Sequence, residues 1–102
     1  MRFDDIWIAG TGSARGALVP NERAVAEGSS SSRAVESTKV RSFSEARQAP
    51  VEMALAAGRQ ALKAAGENGV RPGRDTMHLH SHTGFQGSDM WAASCWLSGE
   101  LL

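Results

Sequence analysis

The stretch Pro50–Gly69, PVEMALAAGRQALKAAGENG, determines how the rest of the chain is interpreted. Its small and apolar residues recur at i, i+4, i+7, i+11 and i+14, the spacing of one helix face, and are Val51, Leu55, Gly58, Leu62 and Ala65. Pro50 suits a first helical turn, and Gly66 and Gly69 provide stop signals. The remaining positions are rich in alanine, at Ala54, Ala57, Ala61 and Ala64. The sequence therefore predicts a helix that is packed on several sides, with neighbouring backbones close to it.

Composition limits the classes of protein to which the chain can belong. Its 102 residues form one domain at most, and 11 Lys+Arg balance 11 Asp+Glu, so no strong field is available to bind nucleic acid or an anionic membrane. No apolar run is long enough to span a bilayer, and Asp4 and Asp5 stand where a secretory signal needs basic and apolar residues. One cysteine cannot form an internal disulfide. A cytoplasmic protein is predicted.

Outward from the central helix, strand and helix patterns alternate. The predicted elements are a strand at Ile6–Ala9, a turn at Gly10–Ser13, a short helix at Glu22–Glu27, a polar loop at Gly28–Gln48, the long helix from Pro50, a strand at Met77–His82 and a helix at Met90–Leu102. This order predicts an α/β fold with parallel strands. Two strands do not make a stable sheet, so the fold is predicted to be incomplete in this chain.

Three histidines alternate along the second predicted strand. His78, His80 and His82 would point to one face of a strand, about 6.6 Å apart from one to the next, and imidazoles so placed can share a zinc ion. The alternative is that these histidines fill half-buried strand positions and bond to backbone or water. Both interpretations stay open on the sequence.

Other candidate groups favour structural roles. Gly10 and Gly12 follow a predicted strand, but Leu18-Val19-Pro20 interrupts the position where a phosphate-binding helix would begin, so a plain turn and no cofactor are predicted. Cys95 lies inside the last predicted helix and is interpreted as a buried structural residue. The tryptophans are assigned to core or interface positions, and they are Trp7, Trp91 and Trp96. Met90 is assigned with Trp91 to an interface.

The ordered set of motifs resembles the opening of ketoacyl-acyl-carrier-protein synthase III proteins, in the thiolase-like superfamily. The segments that carry the resemblance are Gly10-Thr11-Gly12-Ser13, Val19-Pro20-Asn21-Glu22, the Ala-rich run Met53–Gly66, Met77–Thr83 and Gly87–Ala93. The resemblance covers most of residues 1–102 apart from the loop 28–48.

The resemblance implies a layered α/β/α/β/α fold, of which this chain is the N-terminal portion. It also implies a homo-oligomer or a complementary C-terminal chain, and thioester acyl transfer or condensation with an acyl carrier protein in fatty acid or polyketide-type biosynthesis. The family's nucleophilic cysteine follows a further strand beyond the helix ending at Leu102. The resemblance therefore implies no catalytic residue in this chain, which alone is expected to be inactive.

The loop 28–48 lacks the Trp and the Thr-Gly-Ile-x-Arg pattern that housekeeping members of the family use near coenzyme A. Its divergence favours a member that serves a secondary pathway. Two interpretations from other classes of protein remain. One is a small metal-binding module built on the three histidines, and the other is a non-catalytic interaction domain whose exposed apolar surface is covered by association.

Overall fold

The computed structural model describes residues 4–82, 84 and 92–102. Within them it contains four helices and one two-stranded antiparallel sheet, and the order is β1 (Ala17–Pro20), α1 (Asn21–Ala26), α2 (Ser32–Thr38), β2 (Ser42–Glu45), α3 (Pro50–Glu67) and α4 (Ala93–Leu101). The mixed α/β class predicted from the sequence is confirmed. No helix in these residues is long and apolar enough to cross a membrane.

The chain divides into two compact units. The α3 unit consists of the described residues of Met1–Ala14 and Gln48–Leu102, and the hairpin unit is Arg15–Arg47. Each unit has its own packing and is described by itself.

Helix α3 begins and ends where the sequence predicts. The Glu52 carboxylate accepts the backbone N–H of Ala49 at 2.9 Å, which satisfies one of the donors that a helix start leaves unpaired. At the other end Gly69 has a φ of +78°, and the N–H of Val70 bonds to the carbonyl of Ala65 at 2.9 Å. Gly69 supplies the left-handed residue that closes many helices.

The predicted close approach of a backbone to α3 is confirmed at two glycines. A Cβ on Gly12 would meet the Ala57 carbonyl and lie 2.7 Å from the Ala61 nitrogen, and a Cβ on Gly10 would lie 2.6 Å from the Ala65 nitrogen. Two side chains also bind this segment. Gln60 on α3 accepts the Ser13 N–H at its Oε1 at 3.3 Å, and Asn68, which caps the C-terminus of α3, donates from Nδ2 to the Ala9 carbonyl at 2.9 Å. We call residues 9–13 the α3-bound segment.

The two strands predicted at Ile6–Ala9 and Met77–His82 are wrong as strands, since the structure assigns neither segment to a sheet. The first segment is apolar throughout, and in the second the histidines alternate with other residues, so each has a pattern that is typical of strands. A strand also requires a neighbouring strand to which its backbone can hydrogen-bond. Within residues 4–82, 84 and 92–102 the only ladder is antiparallel and lies in the hairpin unit, so the expected parallel pairing is not found there.

The loop predicted at Gly28–Gln48 is also wrong, because it holds helix α2 and strand β2. Ser31 caps the start of α2, since its Oγ accepts the N–H of Ala34 at 3.1 Å. The Thr38 hydroxyl donates to the Ala34 carbonyl at 2.8 Å near the other end of the helix. The Ser31 cap thus stabilises α2, which has no buried residue of its own.

Pairing of β1 with β2, and hydrogen bonds from the start of α1, hold the rest of the hairpin unit together. Val19 of β1, which is buried, pairs with Phe43 of β2. The short helix predicted at Glu22–Glu27 is confirmed as α1, one residue earlier at each end. Its first residue, Asn21, donates from Nδ2 to the Val40 carbonyl and from its backbone to the Arg41 carbonyl at 3.2 Å. These bonds connect the start of α1 to the chain just before β2.

Helix α4 buries one face against α3. Val51, Ala93 and Leu97 form the core of the α3 unit, and Leu97 is only 1% exposed. Trp96, predicted at a core or interface position, is partly buried against this core. Trp7 is 74% exposed, so of its two predicted positions the core is wrong and the interface stays a prediction. Met90 and Trp91, assigned to an interface from the sequence, lie outside the described residues.

Candidate functional site

An apolar groove of about 310 Å³ lies between α3, α4 and the segment 76–80. We call it the α3–α4 groove. Its lining residues are Ala54, Gly58, Ala61, Leu62, Thr76, Met77, His78, His80, Leu97, Leu101 and Leu102. All of them belong to the α3 unit. Small-molecule sites are usually apolar concavities with a few polar groups, and this groove fits that description at the lower end of their usual size, about 300 Å³.

Glycine shapes the floor of this groove. Gly58 lies on α3 where a Cβ would be 2.7 Å from Cδ1 of Leu101, so the missing side chain lets α4 approach. Between the same helices, Nη2 of Arg59 and Oε2 of Glu100 are 3.3 Å apart, and both side chains are largely exposed. Such an exposed ion pair contributes less than about 1 kcal/mol, so packing is what determines the position of α4.

A hydrogen-bonded pair lies at the groove. Nδ1 of His78 and Oγ of Ser98 are 2.6 Å apart, and both residues are half-buried. Sequence reasoning identified His78 but gave Ser98 no role. Nothing in the sequence connects two residues 20 positions apart on different elements, so only the fold could bring them together.

The three predicted metal ligands lie in one row. The ring centroids of His78 and His80 are 6.3 Å apart, and those of His80 and His82 are 5.6 Å apart. Among the described residues, no group of three His, Cys, Asp or Glu side chains is placed to hold a metal ion. His78 bonds to Ser98, and His82 Nδ1 lies 3.2 Å from the Gly84 carbonyl. A metal site at these histidines stays a prediction, and the observed bonds agree with the alternative of histidines that bond to neighbouring groups.

The predicted burial of Cys95 is wrong, because its side chain is exposed. The buried face of α4 carries Ala93 and Leu97, four residues apart. Cys95 follows Ala93 by two residues, which rotates it by about 200° to the opposite side of the helix. Either face of α4 carries apolar residues, so the sequence pattern did not distinguish the face that is buried.

We expect Cys95 of the native chain to react with iodoacetamide at a rate close to that of the urea-unfolded chain, because the fold does not cover the thiol. Intact mass measured over time gives both rates. Cys95→Ala should abolish labelling and change the free energy of unfolding by less than about 0.5 kcal/mol, as an exposed position should. Labelling that occurs only after unfolding would contradict the exposed position.

In the hairpin unit, the pKa of Arg23 is shifted, but the shift does not change the charge of this residue. Glu27 Oε1 accepts from Arg23 Nε at 2.7 Å, and this hydrogen bond to a carboxylate raises the pKa of the Arg23 guanidinium. The group is charged at every physiological pH with or without Glu27. The pair is a solvated i, i+4 contact near the end of α1.

Comparison with known protein families matched none of them, and comparison with curated proteins likewise gave no match.

Proposed function

We propose that this chain supplies the N-terminal portion of a thiolase-like acyltransferase of the ketoacyl-acyl-carrier-protein synthase III type. In this role the chain is a scaffold, and the nucleophilic thiol comes from another chain or a later part of the protein. The acyl group arrives as a thioester, on an acyl carrier protein, in a cytoplasmic pathway of the fatty acid or polyketide type. The ordered motifs of the sequence are the basis of the proposal.

The observation that carries it is the packing of α3. The backbone of Gly10 and Gly12 lies directly on the alanines of this helix, and Leu101 of α4 reaches Gly58. A helix with small residues toward more than one neighbour suits a position between layers, where backbones must approach closely. This packing supports the proposed layered fold.

Two exposed apolar segments provide the second line of support. Ile6, Trp7 and Ile8 precede the α3-bound segment, and all three are exposed, with Ile8 at 81%. Met77 and Leu79 are similarly exposed, Leu79 at 84%. These are the two segments that the sequence predicts as strands. Neighbouring strands would pair the backbone of these segments, and layers packed on the faces of the resulting sheet would cover their side chains, which supports a role for further polypeptide in completing the fold.

The test is to isolate the chain from its native cells through an affinity tag and identify what accompanies it. We expect a companion that carries Cys, His and Asn in the family's pattern, whether as a separate chain or as continued sequence. Incubation of that complex with an acyl thioester should add one acyl mass to the companion's cysteine and leave Cys95 unmodified. A complex with no such companion, or an acyl group on Cys95, would contradict the proposal.

A second candidate is a non-catalytic interaction module, favoured by the same exposed apolar segments. For this module we expect a companion protein without the Cys-His-Asn set, and we expect no acyl adduct on that companion after incubation with the thioester. The same isolation therefore distinguishes the two functions.

A further inference from the structure

Ser98 and His78 are as close as a nucleophile and its base need to be. A separation of 2.6 Å between Oγ and Nδ1 is a short hydrogen bond in which the hydroxyl can donate to the imidazole. Activated serines in enzymes rely on this contact, because a serine hydroxyl is a weak nucleophile until a neighbouring base accepts its proton. When Nδ1 accepts, the hydrogen of the neutral ring resides on Nε2.

The pair stands beside a place for a substrate. His78 lines the α3–α4 groove. Ser98 is not itself a lining residue, but it lies on α4 between Leu97 and Leu101, which are, and its Oγ is 2.6 Å from Nδ1 of His78. The walls are mostly aliphatic, and the volume of about 310 Å³ suits a small apolar group. A carboxylic ester with a short acyl chain would place its hydrocarbon in the groove and its carbonyl toward the polar pair.

A further polar group lines the groove. The Thr76 hydroxyl, which lines the groove, accepts the backbone N–H of Gly73 at 2.7 Å. Its own hydrogen can then be donated to an oxygen in the groove. A donor of this kind stabilises the negative charge that develops on the carbonyl oxygen during acyl transfer.

We propose that Ser98 and His78 hydrolyse short-chain carboxylic esters in the α3–α4 groove. Ser98 Oγ attacks the ester carbonyl carbon while its proton passes to Nδ1 of His78. The bond from that carbon to the leaving oxygen breaks, and the leaving alcohol takes the proton from His78. Water then attacks the carbonyl carbon of the acyl-serine while one of its protons passes to Nδ1 of His78. The bond from that carbon to Ser98 Oγ breaks, Oγ takes the proton from His78, and the carboxylic acid leaves.

This activity is separate from the proposed acyltransferase role. That role uses a thiol outside the described residues, whereas the ester reaction uses an oxygen nucleophile within this chain. Either can fail without affecting the other, because one is judged by a companion's cysteine and the other by Ser98 alone. The competing account is that the hydrogen bond only holds the segment 76–80 against α4.

The purified chain should hydrolyse p-nitrophenyl butyrate measurably faster than buffer. Ser98→Ala should reduce this rate to that of buffer, and His78→Gln should reduce it by about a hundredfold, the usual contribution of a general base. Ser94→Ala on the same helix and His82→Gln in the same row of rings are matched controls that should keep the wild-type rate. A fluorophosphonate probe should attach to Ser98 of the wild-type chain, located by mass spectrometry of its peptides.

Several results would overturn the proposal. They are a wild-type rate equal to that of buffer, a rate that survives Ser98→Ala, or a probe attached to a residue other than Ser98. Variants that lose thermal stability but keep the rate would reduce the pair to a structural contact. If Ser98→Ala or His78→Gln fails to fold by circular dichroism, labelling of the wild-type chain decides alone, since it needs no variant.

Discussion

Replacing Gly12 by alanine should lower the free energy of unfolding by about 3 kcal/mol, the upper end of the usual cost of overpacking. The new Cβ would meet the Ala57 carbonyl and lie 2.7 Å from the Ala61 nitrogen. Both are backbone atoms of α3 and cannot rotate away, so either the helix or the α3-bound segment must move. Urea unfolding at one fixed protein concentration, followed by tryptophan fluorescence, measures the change.

Two other glycines provide the controls for this experiment. A Cβ on Gly73 or on Gly66 would meet no atom within 4 Å. Gly73→Ala should therefore be nearly neutral. Gly66→Ala, inside α3, should stabilise the chain by about 0.5–1 kcal/mol, because alanine favours helix over glycine. If Gly12→Ala were as mild as Gly73→Ala, the close contact between the α3-bound segment and α3 would be wrong.

Replacing Leu97 by alanine should cost about 3 kcal/mol, since it removes the largest fully buried side chain among the described residues and leaves a cavity beside Val51 and Ala93. The same urea experiment measures it. Leu18→Ala is the matched control, because Leu18 is 62% exposed and should change stability by less than about 0.5 kcal/mol. Equal effects of the two substitutions would contradict the position of α4 on α3.

The long helix was predictable because its signals agree with one another. The spacing of Val51, Leu55 and Leu62, the proline at its start and Gly69 at its end all indicate the same boundaries. Its alanines also predicted close neighbours, and the glycines of the α3-bound segment provide them. Local signals sufficed because a helix satisfies its backbone within itself.

The sheet of the hairpin unit was not predictable in the same way as its helix α1. This sheet depends on pairs such as Val19 with Phe43, 24 positions apart, and a strand pattern of four residues is too short to stand out. Ile6–Ala9 shows the reverse case, where a clear strand pattern has no partner in the described residues. Local sequence reports which side chains a strand would present, but pairing depends on distant residues.

The candidate site was predictable only in part. The alternation of histidines indicated His78, but it suggested a shared metal ion rather than a bond to Ser98. Cys95, the one cysteine of the chain, was predicted to be buried but is exposed on α4. A helix of nine residues with apolar side chains on two faces does not indicate which face is buried, so the side occupied by Ser98 was not evident from the sequence either.

The molar mass of the untagged chain in solution shows whether the segments around Trp7 and Leu79 need cover from further polypeptide. These apolar side chains are largely exposed, so we predict that the isolated chain associates, with a mass above 10.8 kDa at micromolar concentration in sedimentation equilibrium. Trp7→Ser with Leu79→Ser should shift the distribution toward the monomer. A wild-type chain that remains a 10.8 kDa monomer at every concentration and unfolds in one sharp transition would contradict this prediction.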